Sequence, residues 1–230
     1  MNRRLLITGA GGFLGSRICE YYSNRDGYEA VGVTHRELDI EDFVAVSAFI
    51  KAIRPDYVLH CAAISNTGTC ERNPVLSEKV NVRGTINLAK ACRKAGSRMI
   101  FTSSDQIYNT SHSMEPNREG SEGKPGNVYG RDKKRAEEAM LTYLPDAVAL
   151  RLTWMYDAPS RGRAAGQGLL QKLTDALKER REVEFPVHDY RGITYVWEVV
   201  RHLEEAMGLP GGVYNFGSEN RYNTFDTARL

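Results

Sequence analysis

The chain has 230 residues, a formal net charge of +2, and 41% apolar against 26% charged residues. That length buries one substantial core, or one core and a small lobe. The even charge balance leaves no single-sign footprint for nucleic acid, and no apolar run is long enough to cross a bilayer. Cys19, Cys61, Cys70 and Cys92 lack CxxC spacing and read as reduced thiols, with no metal site implied. No separate leader precedes the first apolar run, so a cytoplasmic protein is expected.

That first run opens LLITGAGGFLG, Leu5 to Gly15. A strand ends at Thr8, Gly9, Gly12 and Gly15 follow at three-residue spacing, and a helical pattern then begins. Strand, glycine turn and helix N-terminus form a seat for a dinucleotide pyrophosphate, because exposed N–H groups and the helix dipole favour an anion. The spacing is GxxGxxG rather than GxGxxG, and a purely structural turn is the alternative. A second strand, Glu29 to Thr34, ends in Thr34-His35-Arg36 where an acidic residue would bind ribose hydroxyls. A hydroxyl and a guanidinium there suit the 2′-phosphate of NADP, so NADP(H) is favoured over NAD(H). In the alternative, Arg36 is a surface residue and Glu37 or Asp39 takes the ribose.

A helix is predicted from Glu41 to Ile53, stopped by Pro55. A strand from Tyr57 to Cys61 runs into Ala62-Ala63, small enough to let a cofactor lie on the backbone. One helix is predicted from Pro74 to Ala95; Asn81 within it is either exposed or an inward group tying strand ends together. The fourth strand, Arg98 to Thr102, ends in Ser103-Ser104-Asp105, at the edge where open α/β sheets place their chemistry. A polar loop, Asn109 to Asn127, follows. Tyr129 and Lys133 then share one face of a helix whose first turns are basic. A fifth strand (Ala147 to Thr153), a loop with Arg161 and Arg163, and a helix marked by Leu169, Leu170, Leu173 and Leu177 come next. Short extended pieces at 183–185 and 192–196 precede an amphipathic helix at 197–207 and a last strand at 213–216. Thr224 reads as an N-cap of a single final turn. Such a turn needs tertiary packing to hold it, unless the chain is a piece of a longer protein. Alternating strands and helices predict a doubly wound parallel α/β sheet.

In this order TGAGGFLG, LDI at Leu38, RPDYVLHCAA, NVRGTINLA, FTSSDQIY, YGRDK, RLTWMY and RGITYV near Arg191 resemble the extended short-chain dehydrogenases/reductases. The subgroup they resemble most is the dTDP-4-dehydrorhamnose reductase-like proteins of the NAD-dependent epimerase/dehydratase superfamily. The resemblance spans essentially the whole chain. It implies a Rossmann-like cofactor domain over 1–155 and a substrate lobe over 156–230, with 192–207 returning to the first domain. Because family members run on past this point, the small C-terminal lobe is expected to be incomplete.

The same resemblance implies reduction of a nucleotide-linked 4-keto-6-deoxy sugar, or of another small ketone. Tyr129 would be the general acid, Lys133 would lower its pKa and bond the nicotinamide ribose, and Ser104 would hold the substrate oxygen. Gly9, Gly12, Phe13, Leu14 and Gly15 would line the pyrophosphate. Thr34, His35 and Arg36 stand at the adenosine ribose; Asp39 and Ile40 would flank adenine, and Cys61, Ala62 and Ala63 would pass beneath the cofactor. Asp105, Arg161 and Arg163 are candidate substrate contacts, the two arginines reading equally as solvated loop charges. A homodimer is compatible with the pattern. Two other readings remain: an epimerase or dehydratase of the superfamily, and a cofactor-binding regulatory subunit.

Overall fold

The computed structural model describes residues 2–111, 115–158 and 168–230. Its strands are β1 (Arg3–Thr8), β2 (Tyr28–Val33), β3 (Tyr57–His60), β4 (Arg98–Ser104), β5 (Val148–Leu152), β6 (Trp154–Tyr156), β7 (Ile193–Tyr195) and β8 (Gly212–Phe216). Six of them form one sheet in the order β2-β1-β3-β4-β5-β8, and every neighbouring pair is parallel. β6 and β7 pair in parallel as a separate small sheet. The predicted doubly wound α/β fold is what the chain adopts.

Successive residues of a strand face opposite sides of the sheet, and here both sides are dry. Leu6, Val58, Met99, Phe101 and Ala149 enter one core; Leu5, Ile7, Leu59, Ile100 and Leu150 enter the other. The first core is closed by α2 (Phe43–Ile53), α5 (Thr85–Ala95) and α6 (Val128–Tyr143), the second by α1 (Phe13–Ser23) and α8 (Val196–Gly208). Asp42 starts α2 by accepting from the Val44 and Ala45 N–H groups, and Arg54 in the left-handed region ends it before Pro55. Among the described residues no helix is long and apolar enough to cross a membrane.

Residues 183–185 join no strand, and two further stretches differ from expectation. A short helix, α3 (Thr67–Arg72), follows β3, and the helix predicted as continuous from Pro74 is divided. Its parts are α4 (Pro74–Glu78), a π-helical turn over Lys79–Gly84, and α5. The widened turn is where Asn81 points inward, almost fully buried. Its amide accepts from the Ile64 N–H at 2.9 Å and donates to the Ile64 carbonyl at 3.1 Å, so it ties the chain leaving β3 to the helix. Of the two readings of Asn81, the inward one holds.

The final turn, α9 (Thr224–Arg229), packs near α7 (Leu169–Glu179) and is fastened at its start. Asn223, not Thr224, is its N-cap, accepting from the Asp226 N–H at 2.7 Å. Thr224 is instead buried, with its N–H and Oγ1 2.8 and 2.9 Å from the Asp189 carbonyl. Packing therefore holds a turn too short to stand alone. Thr224→Val should loosen it by about 1 kcal/mol, read as faster amide exchange over residues 224–229 with the main sheet unchanged.

Candidate active site

Strand order reverses between β1 and β3, and the carboxyl ends of those strands open the crevice where such sheets bind ligands. Gly9 turns the chain there at φ +72°, and a β-carbon on it would sit 2.7 Å from the Ala62 nitrogen. Gly15 packs so closely that its β-carbon would collide with the Gly9 carbonyl. Gly12 is the N-cap of α1, with no side chain capping that end, and its N–H bonds back to Gly9 at 2.9 Å. The turn is thus a cradle that side chains would fill, with the first-turn N–H groups of α1 above it. This fits a dinucleotide pyrophosphate. Leu14 has its side chain in the core, so its backbone is what faces this seat; Phe13 is half-buried beside it.

Cys61, Ala62 and Ala63 follow β3 directly, and Cys61 donates its N–H to the Thr8 carbonyl at 3.2 Å. Burial pushes the Cys61 thiol up to about 12, so it stays protonated. At the end of β2, Thr34 is engaged by a neighbour. Its N–H and Oγ1 both donate to the Glu37 carboxylate, at 2.7 and 2.8 Å, and those bonds hold that carboxyl below its ordinary range. His35 and Arg36 are exposed beside it. Asp39 accepts from the Glu41 N–H at 2.9 Å. Ile40 is buried, and a β-carbon on Gly84 would strike it.

His60 lies under the crevice, fully buried and stacked on Phe101. Its Nδ1 is 2.8 Å from Thr8 Oγ1 and its Nε2 3.0 Å from Thr85 Oγ1. Thr85 spends its only hydroxyl proton on the Asn81 carbonyl, so Nε2 must donate to it and Nδ1 must accept from Thr8. Burial first, and the Lys133 charge second, push His60 down to about 3. A neutral imidazole is therefore part of the floor.

One strand along, β4 ends in Ser104, and α6 brings Tyr129 and Lys133 to the same place, all three buried. Asn127 starts that helix by accepting from the Gly130 N–H at 2.7 Å, which orients its first turn. Gly130 is required there, since a β-carbon would lie 2.5 Å from the Gln106 carbonyl. Lys133 Nζ donates to the Thr102 carbonyl at 2.8 Å and lies 5.7 Å from the centre of the Tyr129 ring. Burial pushes the Lys133 ammonium down to about 8. For Tyr129, burial is also the first cause and raises the phenol above its ordinary value, while a hydrogen bond with Ser104 pulls the other way. Ser104 is thus one group that favours the phenolate of Tyr129.

Ser104 Oγ contacts Asp105 at 3.3 Å and accepts from the Gln106 N–H at 3.2 Å. Burial raises Asp105, and the nearby Arg191 guanidinium lowers it. Arg191 lies 4.5 Å over the Trp154 ring and donates to Asp189 at 3.0 Å. With the Gln106 amide turned so that its oxygen faces the guanidinium, Arg191 also reaches that oxygen at 2.6 Å. The motif RGITYV marks this arginine in the sequence, but its nearness to Asp105 and Gln106 appears only in the fold, where it lies just before β7. Arg161 and Arg163 lie outside the described residues.

This geometry can be set beside known proteins. The family described as "RmlD substrate binding domain" matches residues 3–230. The chain belongs to that family. The dTDP-4-dehydrorhamnose reductase of Mycolicibacterium smegmatis is 30% identical over all of this chain and 68% of its own length. The methionine adenosyltransferase 2 subunit beta of Xenopus laevis is 31% identical over 99% of this chain and 70% of its own. Among solved structures, dTDP-4-dehydrorhamnose reductase from Bacillus anthracis in complex with NADP superposes with a TM-score of 0.89 at 25% identity. It is matched over 100% of this chain and 79% of that one. The RmlD-type resemblance read from the motifs is borne out over the whole chain.

Proposed function

We propose that the protein is an NAD(P)H-dependent reductase of a nucleotide-linked 4-keto-6-deoxy sugar, with NADPH preferred. The observation that carries this reading is the convergence of Ser104, Tyr129 and Lys133 at the end of β4, beside the glycine cradle. A nicotinamide nucleotide bound along that cradle supplies the hydride. Gly9, Gly12 and the first turn of α1 hold its pyrophosphate, and Cys61 to Ala63 support it from below. Ser104 donates to the substrate carbonyl oxygen and strengthens that bond as negative charge develops. Tyr129 gives its phenolic proton to the same oxygen, completing the alcohol. The raised phenol suits this, since the acid is fully loaded at neutral pH. Lys133, charged below about pH 8, stabilises the phenolate left behind. Arg191, on the substrate side with Asp105 and Trp154, offers a cation to the diphosphate of the sugar nucleotide. Residues 1–155 carry the cofactor in this reading and 156–230 mainly the substrate, with α8 packed back on the first unit.

The test is NADPH oxidation with dTDP-4-keto-6-deoxy sugar as substrate. Stoichiometric conversion to the 4-hydroxy product supports the assignment. Tight NADPH binding with no turnover of any keto sugar overturns it and favours a cofactor-binding regulatory subunit; one relative is named as a subunit, methionine adenosyltransferase 2 subunit beta.

Cofactor choice turns on two neighbouring side chains. Arg36 favours the 2′-phosphate, but the Glu37 carboxylate held on Thr34 puts an opposing charge at the same strand end. Glu37→Gln keeps an acceptor for Thr34 and removes the charge. It should tighten NADPH relative to NADH by about three- to tenfold, the effect of one exposed charge within several ångströms. Calorimetric titration with both cofactors reads this, and an unchanged ratio removes Glu37 from the selectivity argument.

A further inference from the structure

Tyr129, Lys133 and Glu137 are spaced i, i+4 and i+8 on α6, so they form one stripe along the same face. The first two belong to the chemistry. Glu137 is only 2% exposed, and a carboxylate at that depth must be paired. Its partner is Arg151 of β5, whose Nη2 and Nε donate to Oε2 and Oε1 at 2.7 and 3.0 Å. Oε1 also accepts from Ser103 Oγ at 2.5 Å, and Ser103 is the residue before the candidate substrate serine.

The pair extends beyond the sheet. Arg151 Nη1 donates to the Tyr108 hydroxyl and to the Glu119 carbonyl at 3.2 Å, in the segment that follows β4. The Tyr108 hydroxyl in turn meets Asn215 Oδ1 of β8 at 3.0 Å. Asn215 closes the frame, donating its side-chain amide to the Asn117 carbonyl at 2.8 Å and its N–H to the Glu119 carboxylate at 3.0 Å. One ion pair thus touches α6, β4, β5 and the polar segment that follows β4, and through Tyr108 reaches β8.

We propose that Glu137 and Arg151 are positioning residues: their ion pair sets the seat of α6 against the end of β4, and so the approach of Tyr129 to Ser104. They also hold the segment around Tyr108 and Glu119 in register with that site. This inference rests on the reductase reading for its kinetic consequence. Desolvation offsets much of the Coulomb gain of a buried pair, so a well-packed apolar replacement of similar volume retains stability. What it gives up is direction, because apolar contacts lack the angular preference of a bidentate guanidinium–carboxylate pair that also holds Ser103. Misplacement by about 1 Å at reacting groups costs on the order of 10²-fold in rate.

The experiment compares the full chain with Glu137→Gln, with Arg151→Lys and with the double variant Glu137→Leu, Arg151→Met. The expected result for the double variant is kcat lower by about 10²-fold, with NADPH affinity near that of the parent and a cooperative melting transition retained, lowered by the loss of the acceptor for Ser103. Glu137→Gln, which still accepts from Ser103, should recover part of that loss. Retained kcat in a folded double variant overturns the proposal. If the double variant does not fold, the singles decide: kcat lowered with an unchanged KM for NADPH supports positioning, and unchanged kcat in both overturns it. If the parent turns over no keto sugar, the functional reading fails, and two other measurements decide the positioning claim. Faster amide exchange at 105–111 and 115–121 together with a shifted Tyr129 phenol titration in the folded variants supports it; the absence of either change overturns it.

Discussion

Tyr129→Phe should lower kcat by about 10²–10⁴-fold, the usual share of a positioned general acid. The variant keeps the ring in its buried place on α6 and deletes only the hydroxyl, so packing is nearly preserved. Cofactor affinity should stay within about twofold, because a group acting only in the transition state leaves ground-state binding alone. Pre-steady-state mixing with NADPH and keto sugar reads the hydride step directly, and an unchanged rate removes Tyr129 from the chemistry. The parent should also lose kcat/KM on the alkaline side. Lys133, held down to about 8 by burial, sheds its proton as pH rises through that value, and the charge that stabilises the phenolate goes with it. Tyr129, held above its ordinary value, remains protonated over the same range. The falling limb therefore belongs to the lysine.

The second large effect is expected at Gly15. Its β-carbon would meet backbone at Gly9 and Ala10, and backbone cannot rotate away as a side chain can. In Gly15→Ala the start of α1 must lift from the turn, costing about 1–3 kcal/mol by analogy with overpacked cores. For a chain of this size that lowers Tm by roughly 2–4 °C per kcal/mol. The displaced helix N-terminus also takes its N–H groups away from the pyrophosphate seat, so NADPH binding should weaken by at least about tenfold, each tenfold being 1.4 kcal/mol. Gly12→Ala is the informative contrast. A β-carbon there stands 3.2 Å from the Gly9 carbonyl, which a small shift relieves, yet it projects from the N-cap where phosphate approaches. Gly12→Ala should spare stability and still impair cofactor binding. If Gly15→Ala binds NADPH as the parent does, the cradle is not the seat.

The two effects separate what the site is made of. The glycine turn acts by excluding side chains, and its consequences are steric and shared between folding and binding. In the proposed reaction Tyr129, Ser104 and Lys133 present polar atoms in a dry place, and the expected consequences of changing them fall on rate. Glu137 and Arg151 stand between these classes: they are buried like a core but directional like a site.

Much of this is legible in the sequence. Strand β1, its glycine turn and α1 follow from a local pattern, since an apolar run, three spaced glycines and a helical period are properties of a dozen consecutive residues. Tyr129 and Lys133 share a face because helix geometry alone places i and i+4 together. The parallel sheet follows from the alternation of strands and helices, and the motifs in their order identify the family.

Other features depend on partners distant in the chain. Asn81 could be assigned inward only once Ile64 was seen beside it, and the π-helical turn that aims it has no signature in spacing. Glu37 folds back on Thr34, a local contact that the choice among Arg36, Glu37 and Asp39 left open, because short polar turns admit several hydrogen-bonded arrangements of similar energy. Arg191, just before β7, meets Asp105 and Gln106 only in the fold, and Ser103, Glu137 and Arg151 meet from three separate elements. The sequence by itself determined the strands of the main sheet, most of the helices and the glycine turn after β1, because those are set by backbone sterics and by which face of each element is apolar. Only the tertiary structure decided the tautomer of His60, the direction of the Tyr129 shift and the company Arg191 keeps. These are matters of burial and of directional bonds between distant residues, and no local pattern encodes them.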